Sequence, residues 1–211
     1  NWPGGRVGSV GWRVGDGYYV ALGWGLGSVP GKRGGLSDVW RARVSGKSVL
    51  WTWMSGPSQV NAKVSNDTIT GRYGTTSWTV GECVYVFGGF GIDSQGSFGH
   101  LADVWSYCVS TGVWSLLHGP TLADAHGSYG ALGVQNDSNY PPARYGANAL
   151  PIGSSRYLYL FGGSNMVTFA DIWRFDILER QWTWVDGPSG GNFTGSSEWP
   201  SARYGANVFL L

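Results

Sequence analysis

Between Pro141 and Pro188 the apolar positions fall into four short runs divided by turn residues. Arg144 to Leu150 reads as a first strand. Tyr157-Leu-Tyr-Leu-Phe161 reads as a second, rich in the aromatic and branched residues that suit a pleated, largely buried surface. Gly162-Gly163 breaks it, and Ala170 to Asp176 follows as a third strand carrying Asp171 and Trp173. Gln181 to Val185 is a fourth, with Trp182 and Trp184 at spacing two and therefore on one face. Gly187-Pro188 ends the unit. The pattern predicts a four-stranded antiparallel sheet.

The same unit recurs along the chain. Asp-Val/Ile-Trp falls at Asp38, Asp103 and Asp171, with separations of 65 and 68 residues. Trp51, Trp114 and Trp182 each precede a Gly-Pro pair by five residues. Arg-Tyr-Gly begins at Arg72, Arg144 and Arg203, and Arg6-Val7-Gly8 is a weaker copy. Phe87-Gly88-Gly89 matches Phe161-Gly162-Gly163, while the first repeat has Leu22-Gly23-Trp24-Gly25. A recurring block of four short strands is the signature of a radial propeller array.

These anchors resemble kelch repeats, in which a Gly-Gly doublet after one strand is paired with an aromatic residue and a spaced Trp further on. The likeness covers essentially the whole chain and is nearest to the long, Trp-rich repeats of large surface and secreted proteins. It implies a β-propeller with one repeat per blade. The departure at Leu22-Gly23-Trp24 bears on the tightness of the first blade's turn, not on its existence.

The expected organisation is an all-β propeller segment of three four-stranded blades plus the first strand of a fourth. Blade 1 covers 1–57, blade 2 covers 58–120 and blade 3 covers 121–188, with 189–211 a linker and a further first strand ending at Ala206 to Leu211. Thr121 to Arg144 is the longest linker and is expected to wrap over a face. Propellers typically need about 4 to 8 blades to close, and unpaired strand edges invite pairing. Missing blades from the same polypeptide or from another chain are therefore expected partners. Asn1 is not an initiator Met and no signal peptide is visible, so the chain reads as part of something longer.

Composition fits this picture: 36 Gly, 13 Trp, 11 Tyr and 8 Phe, with only 13% charged residues, describe a turn-rich protein with an aromatic core. A net charge of +1 offers no field for nucleic acid or an anionic membrane. No apolar run approaches the roughly 20 residues of a membrane span.

Two charged positions repeat. Arg6, Arg72, Arg144 and Arg203 start first strands, and Asp38, Asp103 and Asp171 start third strands. In an up-and-down meander both starts lie at one face, so Arg can reach over the Gly doublet to Asp. A structural polar hub is the preferred reading, because buried polar groups must be satisfied within each blade. A ring of Arg binding an acidic ligand is the alternative. Trp40, Trp105, Trp173, Trp51, Trp114 and Trp182 are expected in the blade cores. Trp2, Trp24 and Trp199 could instead form sugar-stacking surfaces.

Cys83 and Cys108 fall on neighbouring antiparallel strands. They face each other if Phe87 faces Val104, within range of a disulfide; two buried free thiols are the alternative. Three sequons, at Asn66, Asn136 and Asn192, each lie between a Gly-Pro and the next Arg-Tyr-Gly and are candidate N-glycosylation sites. His100, His118 and His126 have no ligand spacing, and the carboxylates are scattered singly, so neither a metal nor a catalytic residue is expected, and no cofactor. The resulting expectation is a non-enzymatic module of an extracellular or cell-surface glycoprotein, serving protein binding, glycan binding or self-assembly. The alternatives are a kelch-propeller enzyme of sialic-acid mutarotase or carbohydrate-oxidase type and an intracellular kelch substrate adaptor.

Overall fold

The computed structural model describes residues 2–62, 68–150, 152, 156–197 and 199–205, and among them there are strands and turns but no helix. The first unit contains β1 (Arg6–Val7), β2 (Val10–Val14), β3 (Gly17–Ala21), β4 (Trp24–Leu26), β5 (Arg33–Gly35), β6 (Val39–Ser45) and β7 (Ser48–Ser55). The second repeats it as β8 (Arg72–Tyr73), β9 (Thr76–Val80), β10 (Cys83–Phe87), β11 (Phe90–Ile92), β12 (Phe98–His100), β13 (Val104–Cys108) and β14 (Trp114–His118). The third has β15 (Gln135–Asn136), β16 (Asn148–Leu150), β17 (Tyr157–Phe161), β18 (Ile172–Asp176) and β19 (Gln181–Asp186).

Each blade is an antiparallel meander, ordered β2-β3-β6-β7, β9-β10-β13-β14 and β16-β17-β18-β19. Two expectations are corrected here. The first strand does not begin at the arginine: Gly8, Gly74 and Gly146 take φ of 61°, 66° and 64°. That left-handed step, which glycine makes at little cost, cuts the Arg-aromatic-Gly segment away from the blade strand. The cut-off pieces form a second tier of small sheets, β1-β4-β5 and β8-β11-β12. Blade 3 also gains a fifth strand, because β15 of the long linker pairs with β19, Gln135 opposite Thr183 and Asn136 opposite Trp182. The linker thus extends a sheet edge. The fourth-blade strand expected at Ala206 to Leu211 lies outside the described residues.

Blades pack face to face, and the core lies between them. Trp12, Tyr19, Ala21 and Val39 of blade 1 meet Val84, Val86, Tyr107 and Trp114 of blade 2. Phe87 and Val104 of blade 2 meet Leu158, Leu160, Trp173 and Trp182 of blade 3. Trp40, Trp105, Trp173, Trp114 and Trp182 are all buried. Trp51 departs from expectation and is only half-buried. Trp51 pairs with Ala42, and Ala42 with Tyr18. This row faces away from blade 2, and no described sheet covers it, whereas the matching Trp182 row of blade 3 packs on blade 2.

The Leu22-Gly23 turn is as tight as its counterparts. Leu22 has φ 61° and Gly23 φ 103°, beside 62° and 98° at Gly88-Gly89 and 69° and 98° at Gly162-Gly163. Leu22 holds a conformation that costs a side chain roughly 1–2 kcal/mol, offset by burial of that side chain in the core between blades 1 and 2.

Candidate binding face

The repeated Arg and Asp meet in every described blade. Arg144 donates from both terminal nitrogens to Asp171, at 2.5 and 2.9 Å, and from Nη1 to Gly162 O at 2.8 Å. Arg72 holds Asp103 at 2.5 and 2.9 Å and Gly88 O at 3.3 Å. Arg6 holds Asp38 at 2.7 and 3.0 Å and Leu22 O at 3.1 Å. A β-bulge falls at Val39/Trp40, Val104/Trp105 and Ile172/Trp173. Bulges re-aim side chains, and here each Trp indole donates back to the Asp two residues earlier, at 2.6 to 2.8 Å. These carboxylates are buried in the scaffold and held by their Arg and Trp donors.

Each hub also grips the blade before it. The carbonyls of Arg72, Arg144 and Arg203 accept from Gly23, Gly89 and Gly163 of the preceding doublets, at 2.7, 2.9 and 2.9 Å. A Cβ at Gly88 or Gly162 would stand 2.6 Å from the incoming Arg carbonyl, so the doublet is the socket for the next blade. The motif glycines link in series: Gly74 donates to Gly8 O, Gly146 to Gly74 O and Gly205 to Gly146 O, at 2.8 to 3.0 Å. Arg203 completes this backbone pattern, but its side chain is exposed and, among the described residues, donates to Ser201. Among the described residues no carboxylate pairs with it.

Alongside the glycine series runs a ladder of rings. Trp24 meets Tyr73, Tyr73 meets Phe90, Phe90 meets His100, His100 meets Tyr145 and Tyr145 meets Tyr204, with centroids 5.1 to 5.8 Å apart. The tyrosines follow the repeated arginines, while Trp24 and Phe90 follow the doublets. Beside the ladder a cleft of about 370 Å³ is lined by His100, Asp124, His126, Tyr129, Asn165 and Phe169 among others. His100 Nδ1 and Asp124 Oδ1 lie 3.1 Å apart. Ring faces flanked by a few polar groups suit sugar rings or aromatic side chains. Of the candidate stacking residues, Trp24 joins this ladder and Trp2 is 75% exposed. Trp199 is tied down, its indole donating to Ala170 O at 2.7 Å.

Tyr129 is a member of the blade 3 hub that carries no repeat signature. Its hydroxyl donates to Asp171 Oδ2 at 2.7 Å, and its ring lies 4.9 Å from Trp173 and 5.1 Å from Trp184. Burial, then the adjacent Asp171 charge, push its phenol well above the ordinary tyrosine value.

Asn61, Asp124 and Asn192 share a second device that was missed. All three have positive φ, and each exchanges a reciprocal pair of bonds with the preceding blade's long loop. Their amides donate to Gly35 O, His100 O and Thr168 O, and their side-chain oxygens accept from the amides of Gly35, His100 and Thr168. Asn192, a sequon asparagine, therefore has a scaffold role and is also exposed. Asn136 is exposed on edge strand β15, where its side-chain oxygen accepts from Ser138. Asn66 lies outside the described residues. Cys83 and Cys108 form a disulfide across β10 and β13, in the register that pairs Phe87 with Val104. Among the described residues there is no cluster of three or more His, Cys, Asp or Glu suited to a metal ion.

Repeated meanders, inter-blade cores and a serial hub define an all-β propeller segment. The chain is similar to the solved structure of YjhT at a TM-score of 0.57 and 18% identity, covering 89% of this chain and 53% of that one. That likeness fits a kelch-like propeller, and the chain spans about half the length of the structure it matches. No protein-family model matches the sequence, and comparison with curated proteins finds no match.

Proposed function

We propose that the chain is a non-enzymatic binding module, part of a kelch-type propeller in an extracellular or cell-surface glycoprotein. The observation that carries this reading is the ring ladder from Trp24 to Tyr204, set beside a hub whose buried Asp members are committed to Arg and Trp donors. Surfaces of this kind recognise by contact area and stacking rather than by acid–base chemistry. The Cys83–Cys108 disulfide supports an oxidising compartment. Sugars at Asn66, Asn136 and Asn192 would accompany it. Further blades, from the same polypeptide or another chain, would extend the array along the backbone at Arg203, whose carbonyl accepts from Gly163.

The reading is tested by titrating the protein with oligosaccharides and with aromatic-rich peptides while following Trp fluorescence. A saturable response that Tyr73→Ala/Tyr145→Ala abolishes, and that Asp16→Asn, remote from the ladder, leaves intact, is expected. Turnover of a sugar that vanishes in His100→Ala or Asp124→Asn would overturn the non-enzymatic reading.

A further inference from the structure

The base of each blade carries a clip, and the three clips differ in chemistry. The residue five places after each hub Asp is Arg43, Cys108 or Asp176. The residue just before each second strand is Asp16, Glu82 or Arg156. In blade 1 Arg43 Nη2 donates to Asp16 Oδ2 at 2.7 Å. In blade 3 the polarity is reversed, and Arg156 Nη2 donates to Asp176 Oδ2 at 2.7 Å. In blade 2 the same third-strand position is Cys108, bridged to Cys83 at the start of β10. The registers agree, since Cys108 faces Cys83 as Asp176 faces Tyr157. Blade 2 also keeps the acid of the blade 1 arrangement, for Glu82 accepts from the Ser110 hydroxyl.

The disulfide is within reach of solvent and lies outside the apolar cores. Cys83 and Cys108 are each half-buried, and neither belongs to the clusters that join the blades. Gly81 and Glu82 on one side, and Ser110 and Thr111 on the other, are exposed. Access is one of the factors that set the rate of thiol–disulfide exchange, and exposed bridges are the labile ones. The inner part of the blade does not hang on the bridge. β10 and β13 pair along their whole length, from Phe87–Val104 to Cys83–Cys108, and Val109 donates to Glu82 O at 3.2 Å just beyond it. The turn that follows Cys108 leads directly into the outer strand β14.

We propose that Cys83–Cys108 is a site of thiol–disulfide exchange with a dithiol reductant, and that its opening loosens the outer hairpin β13–β14 while the blade stays folded. A thiolate of the reductant attacks one cysteine sulfur, the S–S bond breaks, and the other cysteine leaves as a thiolate and takes up a proton. The reductant's second thiol, as its thiolate, then attacks the reductant's own sulfur in the mixed disulfide. The remaining cysteine leaves as a thiolate and is protonated in turn. The protein gains two electrons and two protons, and the reductant ends as a disulfide. Blades 1 and 3, clipped at this position by ion pairs, do not respond to the exchange.

The probe is dithiothreitol, added to the native 211-residue protein. Thiol labelling counts the reduced cysteines, and backbone amide exchange is read by mass spectrometry. Both cysteines should become labelled without denaturant. The amides of 104–118 should then exchange at least about tenfold faster, a factor that corresponds to ~1.4 kcal/mol of local opening free energy. Those of 39–55 and 172–186 should keep their rates. Cys83→Ser/Cys108→Ser should match the reduced protein. Cys83→Ser/Cys108→Arg sets Glu82 against an arginine, as Asp16 is set against Arg43. Its 104–118 amides should exchange about two- to fivefold more slowly than in Cys83→Ser/Cys108→Ser, the contribution of an exposed ion pair. The proposal is overturned if labelling requires denaturant, if reduction leaves 104–118 as protected as before, or if all three blades lose protection together. It is also overturned if the Cys108→Arg and Cys108→Ser variants exchange alike.

Discussion

Replacing Asp171 by Asn removes one negative charge from the most enclosed hub and changes almost nothing else. Both members of the Arg144–Asp171 pair have fully buried side chains. The carboxylate accepts four hydrogen bonds: two from Arg144, one from Trp173 and one from Tyr129. Two unit charges about 4 Å apart attract by about 4 kcal/mol at an effective dielectric near 20. Removing one partner of a buried pair typically costs about 3–5 kcal/mol, because the other charge is left uncompensated. The Asn amide would also turn N–H groups toward donors. A loss of about 4 kcal/mol should lower the urea midpoint by about 1.3 M, taking a slope of about 3 kcal/mol/M. Urea unfolding followed by Trp fluorescence gives the value. Asp16→Asn is the control, since Asp16 pairs with Arg41 and Arg43 while two-thirds exposed, and it should leave the midpoint unchanged. The double variant Arg144→Met/Asp171→Asn should recover part of the loss, as coupled sites do. If Asp171→Asn costs no more than Asp16→Asn, the hub is not what holds the blade.

Gly88→Ala should destabilise by more than about 2 kcal/mol in urea unfolding, from its φ of 62° and a Cβ 2.6 Å from Arg144 O, while Gly46→Ala, with φ 60° and open space around it, should cost only the roughly 1–2 kcal/mol of the backbone conformation. Cys83→Ser/Cys108→Ser removes a cross-link spanning 25 residues and should cost about 3 kcal/mol; a thermal melt matching that of the parent would contradict it. Stability should fall in acid. Burial raises the carboxyls of Asp93 and Asp176, but backbone amides around Asp93, and Arg156 with backbone amides around Asp176, outweigh it and lower both. Their contribution is complete above the ordinary carboxylate value of about 4 and is lost as pH drops through the lowered values. Melting temperatures between about pH 6 and about pH 2 should show that fall, and Asp93→Asn should reduce it.

The repeat made the blades legible, because each strand carries its own signal: aromatic and branched residues, a Gly doublet, Trp at spacing two. The Arg–Asp hub was legible for the same reason, since residues that recur in register in sequence recur in register in space. What escaped was everything carried by connections of unequal length. Tyr129 fills the blade 3 hub from a linker longer than the one that leads into blade 2. Asn61, Asp124 and Asn192 perform one role from three dissimilar contexts, and only their left-handed backbone reveals it. The break between Arg-Tyr-Gly and the first strand was written in the glycine, but a run ending in apolar residues reads as continuous until φ is known. Trp51 misled because its repeat position is that of a core residue, while its burial depends on a neighbouring sheet and not on its own blade.

The central claim, a disulfide-bonded glycoprotein module of the cell exterior, meets its most direct test in the intact mass of protein from its native source. The mass is read with and without enzymatic removal of N-glycans, and with thiol labelling before and after reduction. The account predicts a mass drop that maps to Asn66, Asn136 or Asn192, and label on Cys83 and Cys108 only after reduction. An unchanged mass with both cysteines labelled at once would contradict it.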